Sequence, residues 1–258
     1  MSFPAILAAA SKTATGFDAH VPEDWLQGRT AYGGLSAALA LESARTIADG
    51  LPPMRSAQVS FVGPLSGDVS VSSRILRQGR NATWVSSEVQ SEGKVGLAAT
   101  FVFMGPMESE LHLNDAGAPD DTIAVDDAVI IPSDKGPGFI SNFDLRHSLP
   151  RADERQPQMN RWARVRDRSG LDPMVELVLI ADAMPPGVMP LFDSWRPISS
   201  MTWLINLLTP APVTTDGWWQ LRARGTYAEK GCSSQDMSVW NAAGEPIAAG
   251  MQSIAIFG

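Results

Sequence analysis

The most continuous run of hydrophobic residues lies at positions 173–186 and is bounded by prolines. Its apolar residues surround the helical axis instead of forming a stripe, a pattern typical of a helix that is buried on most sides. Asp172 is suited to cap the start of this helix, and Pro173 suits its first position, where the missing N–H costs nothing. The Pro-Pro-Gly triplet at 185–187 ends it, so the pattern predicts a helix over residues 173–184.

Shorter segments on both sides of this helix alternate between apolar and polar residues. Residues 1–31 are predicted to form an irregular lead-in with strand fragments at 17–20 and 24–26. A helical run follows at 35–48, and four strands are then predicted at 55–62, 68–77, 81–90 and 95–104. After a strand at 162–166 and the buried helix, four further strands are predicted at 199–208, 218–227, 233–240 and 246–257. One helix followed by four antiparallel strands therefore occurs twice, which predicts an internal repeat of an α+β unit.

Local sequence similarity supports this repeat. Two pairs of segments are similar, 56–64 with 200–210 and 97–99 with 247–249. Between the two blocks, residues 105–140 are dominated by Gly, Pro and Asp, a composition typical of a linker. We therefore expect an N-terminal repeat over residues 1–110, a linker over 111–140 and a C-terminal repeat over 141–258.

Composition and charge narrow the range of partners. The chain of 258 residues is 44% hydrophobic and carries a net charge of -8, which argues against nucleic acid or an anionic membrane as a main partner. Cys232 is its one cysteine, so no intrachain disulfide is possible and a reducing compartment is expected. The N-terminus is a poor signal peptide, and no apolar stretch reaches the roughly 18 residues of a membrane span. The sequence thus predicts a cytoplasmic protein.

One carboxylate in the hydrophobic run is a candidate for chemistry. Asp182 has no basic residue within a turn, and a charge buried without a partner is costly. Either Asp182 reaches solvent or a loop amide at the helix end, or it is a catalytic carboxylate with a raised pKa. Nucleophile-elbow, P-loop and dinucleotide-binding motifs are absent from the sequence. The three histidines, His20, His112 and His147, show no metal-site spacing, so neither a metal nor a cofactor is predicted.

Several motifs in this order resemble those of a known family. They are Gly-Arg-Thr-Ala-Tyr-Gly-Gly at 28–34 before an Ala-rich helix, Phe-Val-Gly-Pro ending at 64, Trp-Ala-Arg at 162–164, Asp182 near the second helix's end, the segment 200–210, and Ala-Gly-Met-Gln ending at 252. Over nearly the whole chain they resemble the acyl-CoA thioesterase II family. The resemblance implies an α+β double hotdog fold, hydrolysis of fatty acyl-CoA thioesters, and assembly into dimers or larger homo-oligomers.

The resemblance also implies a catalytic set. The family uses an Asp, a Thr or Ser, and a Gln to hold the attacking water, and by motif these are Asp182, Ser200 and Gln252. The carboxylate can accept a proton from water while the hydroxyl and the amide orient that water. The backbone N–H groups of Gly33 and Gly34 could polarise the thioester carbonyl, or the two glycines could simply form a tight strand-to-helix junction.

Some positions depart from the family pattern and leave alternatives open. Thr202 and Trp203 stand where the family usually carries Asp-His. Glu42 could mark a second, pseudo-equivalent site in the first helix, or it could lie on a solvated helix face. Two rival functions remain: a non-catalytic double hotdog that binds acyl-CoA or lipid, and a hotdog hydratase or dehydratase. The latter chemistry pairs a carboxylate with a histidine, so His147 would have to reach Asp182 through the fold.

Overall fold

The structure is a computed structural model that describes residues 1–150, 153–194 and 196–257. Its α-helices are α1 (Phe3–Ala9), α2 (Gly33–Arg45) and α3 (Pro173–Ala181). Short 3-10 helices lie at Glu23–Trp25, Val125–Asp127, Ser133–Lys135, Gly138–Asn142 and Met189–Leu191. The strands of the first half are β1 (Ser11–Lys12), β2 (Gly16–Val21), β3 (Leu26–Gln27), β4 (Thr30–Ala31), β5 (Met54–Phe61), β6 (Gly67–Gln78), β7 (Ala82–Ser91) and β8 (Lys94–Met104). Those of the second half are β9 (Ile130–Ile131), β10 (Phe143–His147), β11 (Gln158–Val165), β12 (Ile198–Leu207), β13 (Trp219–Glu229), β14 (Cys232–Asn241) and β15 (Pro246–Ile256).

Thirteen of the described strands form one antiparallel sheet in the order β1-β2-β6-β7-β8-β5-β12-β15-β14-β13-β11-β10-β9. The two halves meet where β5 pairs with β12, with Val59 opposite Trp203. Outward from this junction, β5 is followed by β8, β7 and β6 in the first half, and β12 is followed by β15, β14 and β13 in the second half. Both halves therefore have the same strand order. A strand that precedes the helix, β2 or β11, closes each series. The predicted α+β repeat is therefore present, and one continuous sheet runs through both halves.

The two long helices pack against each other in antiparallel orientation inside the curved sheet. At one end Tyr32 Oη donates to the carbonyl oxygen of Leu179 at 2.9 Å. At the other end Arg45 forms an ion pair of 2.8 Å with Asp172, whose Oδ1 also caps α3 by accepting the N–H of Met174. The small side chains of α2 allow this close approach, and nearly every residue of both helices is buried.

The boundaries of both long helices differ from the sequence-based expectation. Helix α3 ends at Ala181, three residues before the predicted end at 184, and Asp182 is its C-cap. The N–H of Ala183 bonds to Ile180 O in a tight turn, because the following Pro-Pro pair cannot continue the helix. Helix α2 begins at Gly33 and ends at Arg45, which shifts the predicted span 35–48 toward the N-terminus.

The N-terminal lead-in is more ordered than predicted. Helix α1 was not expected, yet it buries Phe3 and Ile6, which lie three residues apart on one face. The fragment predicted as a strand at 24–26 is mostly a 3-10 turn, in which the N–H of Trp25 bonds to Pro22 O. A proline directly before a short polar segment, here Pro22, favours such a turn over a strand.

The Gly/Pro/Asp-rich connection between the halves lies across the outer face of the second half's sheet. Indole N–H groups on that face hold it, since Trp162 donates to Ile123 O at 2.8 Å and Trp240 donates to Ala116 O at 2.6 Å. Buried indole donors need such acceptors, and these acceptors fix the path of the chain. The connection also contains β9 and three 3-10 helices, which a pure linker would lack. The division at residues 110 and 140 stays a prediction.

Candidate active site

The Asp182 carboxylate sits between the end of α3 and the start of α2. It is partly buried and faces a cavity of about 110 Å³. Burial raises its pKa to about 7, although hydrogen bonds from the Gln252 side chain and the Gly34 N–H oppose this rise. Gln252 Nε2 lies 2.5 Å from Asp182 Oδ1. The effect of burial on the pKa of Asp182 is therefore larger than that of the two hydrogen bonds.

A directed chain of amides ends on this carboxylate. The Gly187 N–H donates to Gln235 Oε1 at 2.8 Å, and Gln235 Nε2 donates to Gln252 Oε1 at 3.0 Å. Because each amide oxygen already accepts a hydrogen bond, each amide NH₂ must face the next group. Both glutamines are almost fully buried. The chain therefore delivers a fixed N–H donor to Asp182 and favours its ionised form.

Gln235 was missed in the sequence analysis, although a weak signal for it exists. It lies on the buried face of β14, in alternation with Ser233, Met237 and Val239. An amide at an inward position between apolar residues must find a buried partner. The partner itself is set by strand register, since β14 places Gln235 directly opposite Gln252 of β15.

Gly33 and Gly34 bring the N-terminus of α2 against the carboxylate. A Cβ atom added to Gly33 would lie 2.6 Å from Asp182 Oδ2 and 2.9 Å from Cε1 of Phe61. A Cβ atom added to Gly34 would lie 2.5 Å from Leu179 O. Only glycine fits these contacts, and the positive end of the helix dipole then stabilises the nearby negative charge.

Ser200 lies in the same cavity but is less tightly connected. It is on β12, next to a bulge between Ser200 and Thr202, and its strand neighbour is Ile254. Within the described part of the chain, its hydroxyl forms no hydrogen bond with Asp182 or Gln252. The structure thus gathers all three predicted side chains around one cavity and bonds two of them directly.

The walls of the cavity are mostly apolar and come from distant parts of the chain. They include residues of the connection, of β12 and β15, and of the turn after α3: Pro137, Phe139, Ile140, Ala183, Met184, Pro185, Pro186, Met189, Ile198 and Ile254. Phe139 stacks on Tyr32 with ring centroids 4.3 Å apart, which ties the connection to the start of α2. Burial, and secondarily the Asp182 charge, raises the pKa of Tyr32, so this phenol stays neutral.

Two comparisons with known protein families cover both halves. A family model described as the acyl-CoA thioesterase N-terminal domain matches residues 21–104. A second, described as the acyl-CoA thioesterase C-terminal domain, matches residues 115–256. The chain belongs to the acyl-CoA thioesterase family. Among curated proteins, none matches it.

Solved structures confirm the double hotdog fold. A conserved protein of unknown function with a hot dog fold from Alicyclobacillus acidocaldarius has a TM-score of 0.86 at 20% identity, over 98% of this chain and 97% of that one. The tesB protein of Mycobacterium avium subspecies paratuberculosis gives 0.78 at 16% identity, over all of both chains. An acyl-CoA thioesterase II, TesB2, from Mycobacterium marinum gives 0.74 at 17% identity, over 99% of this chain and 98% of that one.

The positions at which this chain departs from the thioesterase pattern lie outside the cavity wall. Trp203 is fully buried and pairs across the sheet with Val59 on one side and Gln252 on the other. Thr202 points away from the core and is exposed. Neither side chain lines the cavity around Asp182. The cavity is therefore built without the Asp-His pair that the family usually carries there.

Two further candidates from the sequence are not in this cavity. Glu42 accepts two hydrogen bonds of 3.2 Å from Arg45, so it belongs to an ion-pair cluster at the far end of the helices. His147 is exposed on β10 and forms no hydrogen bond with Asp182 within the described residues. Nor does the described part of the chain gather three or more His, Cys, Asp or Glu side chains that could hold a metal ion. No described helix has the length and hydrophobicity required to cross a membrane.

Proposed function

We propose that this chain hydrolyses acyl-CoA thioesters and that Asp182 is the general base. The observation that carries the proposal is the Asp182 carboxylate, which faces a mostly apolar cavity at the end of a fixed chain of amide donors. A general base works best when its pKa lies near the working pH, and burial brings the pKa of Asp182 to about 7. An ordinary surface aspartate would be far weaker as a base.

In the proposed reaction, a water molecule in the cavity attacks the thioester carbonyl carbon as Asp182 accepts its proton. Ser200 and Gln252 line the same cavity and orient the water. The N–H of Gly33 polarises the carbonyl oxygen, with help from the positive end of α2, while the N–H of Gly34 stays bound to Asp182. The C–S bond then breaks, the thiolate of CoA leaves, and the proton held by Asp182 returns to that sulfur.

The rival functions differ in what they require at this site. A non-catalytic binder would need the cavity but not a base of raised pKa. A hydratase or dehydratase of this fold pairs its carboxylate with a histidine, and His147 lies outside the cavity. The arrangement around Asp182 therefore favours hydrolysis over both.

The test is a hydrolysis screen over acyl-CoA chain lengths with detection of free thiol. Asp182→Asn keeps the shape and removes the base, so turnover of the best substrate should fall by about 100- to 10,000-fold with little change in binding. Glu42→Gln is the matched control, because it makes the same change on the other helix outside the cavity. Wild-type turnover by Asp182→Asn would refute the mechanism. Binding of acyl-CoA without any release of thiol would support the binding-protein alternative.

A further inference from the structure

One charged side chain in the cavity has no role in the proposed chemistry. Arg161 lies on β11 in alternation with Ala163 and Val165, both of which are buried under α3. Its side chain therefore points to the helix side of the sheet, where it lines the cavity together with Asp182. Trp162 points to the opposite face and contacts the connection instead.

Among the described residues, the Arg161 guanidinium has no anionic partner. Its Nε is buried without an acceptor, and no ion pair joins it to any described residue, Asp182 included. Other arginines of the same half do pair: Arg164 and Arg166 with Asp144, and Arg224 with Asp236. The residue opposite Arg161 on β10 is His147, which is not an anion.

An unpaired guanidinium at such a position lowers stability, because a charge is taken out of water without compensation. Burial lowers the pKa of Arg161 only to about 10, so the side chain stays charged at neutral pH. A guanidinium presents a planar set of N–H donors that matches a carboxylate or phosphate. A substrate that carries such a group would supply the missing partner.

We propose that Arg161 binds an oxyanion of the substrate and that this oxyanion is a second carboxylate at the far end of the acyl chain. The proposal rests on the proposed thioesterase function. Arg161 and Asp182 line the same cavity of about 110 Å³, so an oxyanion bound by Arg161 lies close to the thioester that Asp182 requires. The phosphates of CoA are separated from its sulfur by the long pantetheine arm, whereas the carboxylate of a short dicarboxylyl group lies within the acyl chain itself.

Kinetics with substrates matched in length test this assignment. Glutaryl-CoA is compared with valeryl-CoA, and adipyl-CoA with hexanoyl-CoA, in the wild type and in Arg161→Met, which keeps a long apolar stem without the charge. We expect the wild type to prefer the dicarboxylyl member of each pair. Arg161→Met should lose about 10- to 100-fold in kcat/KM on that member and little on the other, and Arg161→Lys should fall between.

A second set of substrates shows whether the oxyanion is the acyl carboxylate or a phosphate of CoA. N-acetylcysteamine thioesters of the same four acyl groups lack all phosphates. If Arg161→Met weakens both members of each CoA pair equally but spares the N-acetylcysteamine thioesters, the oxyanion is a phosphate and the acyl-carboxylate assignment is overturned. If Arg161→Met changes kcat/KM equally for all of these thioesters and leaves the melting temperature unchanged, Arg161 binds no oxyanion.

Binding measurements keep this inference separate from the proposed hydrolysis. Calorimetry compares adipyl-CoA and hexanoyl-CoA on Asp182→Asn with and without Arg161→Met, so no turnover is needed. A preference for adipyl-CoA that disappears with Arg161→Met would support the oxyanion site even if the wild type released no thiol. An equal affinity for both ligands in the presence of Arg161 would overturn it.

Discussion

The hydrogen bond from Gln252 to Asp182 makes a specific prediction about the pH dependence of hydrolysis. The base acts in its ionised form, so kcat/KM of the wild type should rise about tenfold per pH unit below a midpoint near 7 and level off above it. Gln252→Met removes the donor 2.5 Å from Asp182 Oδ1 and replaces it with a side chain of similar length. Without that donor the ionised form is less stable, so the pKa of Asp182 should rise further.

The size of the shift follows from the kind of hydrogen bond that is lost. A hydrogen bond to a charged group contributes about 1.5–3 kcal/mol, and one pKa unit corresponds to about 1.4 kcal/mol. The midpoint of Gln252→Met should therefore lie about one to two units above that of the wild type. At pH 7 the loss of ionised base alone should lower kcat/KM by about 5- to 50-fold, and that part should be recovered near pH 9.5.

Ser200→Ala is the control for this measurement. Its hydroxyl lines the cavity but does not bond to Asp182 in the structure. This variant should lower the plateau of kcat/KM without moving the midpoint. Full pH profiles from 5 to 10 with one acyl-CoA decide the matter. A midpoint of Gln252→Met that stays at the wild-type value, or falls below it, would refute the role assigned to the amide chain.

Further predictions concern the supports of the site. Gln235→Met frees the Gln252 amide and should move the midpoint in the same direction by less than Gln252→Met does, in the same pH profiles. The pKa of Asp182 is about 7 when folded against 3.8 for a free side chain, so the folded state binds more protons between these values and stability should fall as pH rises from about 4 to 7. Urea unfolding at pH 5 and 8 should show a loss of up to about 2.5 kcal/mol in the wild type and none in Asp182→Asn, because the unfolded aspartate is already ionised at pH 5 and only the part of the loss between pH 5 and 7 is measured. Gly34→Ala should destabilise by about 1–3 kcal/mol through the contact with Leu179 O, whereas Gly117→Ala, with open space around it, should change stability by less than about 0.5 kcal/mol in the same assay. Light scattering should detect a dimer or larger assembly at micromolar concentration, and a strict monomer would contradict the expected homo-oligomer.

The sequence predicted those parts of the fold that depend on local pattern. A helix buried all round gives an unbroken apolar run, and alternating strands give a period of two, so α3 and the helix-plus-strands repeat were both identifiable. Asp182 stood out for the same reason, as the one charge at the end of an apolar run. Helix ends were less well predicted because Pro185 and Pro186 show that α3 must stop but not how many residues earlier the turn at Ala183 begins.

Contacts between distant segments could not be predicted from the sequence. Gln235 meets Gln252 only because of the register between β14 and β15, and each alone has the appearance of an ordinary strand amide. The path of the connection depends on indole donors on the far face of the sheet, and its Gly/Pro/Asp composition gives no sign of them. The same holds for Arg161, whose place in the cavity depends on which face of β11 turns inward.

The two halves of the chain use their buried polar positions differently, and this difference explains why one cavity is a candidate site. In the first half the Ser73 hydroxyl bonds to both Ser43 and Ser87 at 2.7 Å, which forms a hydroxyl cluster with no charge. In the second half the buried amides run in one direction and end on Asp182. The first half still contributes, because the start of α2 supplies the N–H of Gly34 and the close approach that only glycine allows. A carboxylate at the end of one helix, held against the beginning of the other, requires both repeats, and we therefore expect neither half alone to hydrolyse thioesters.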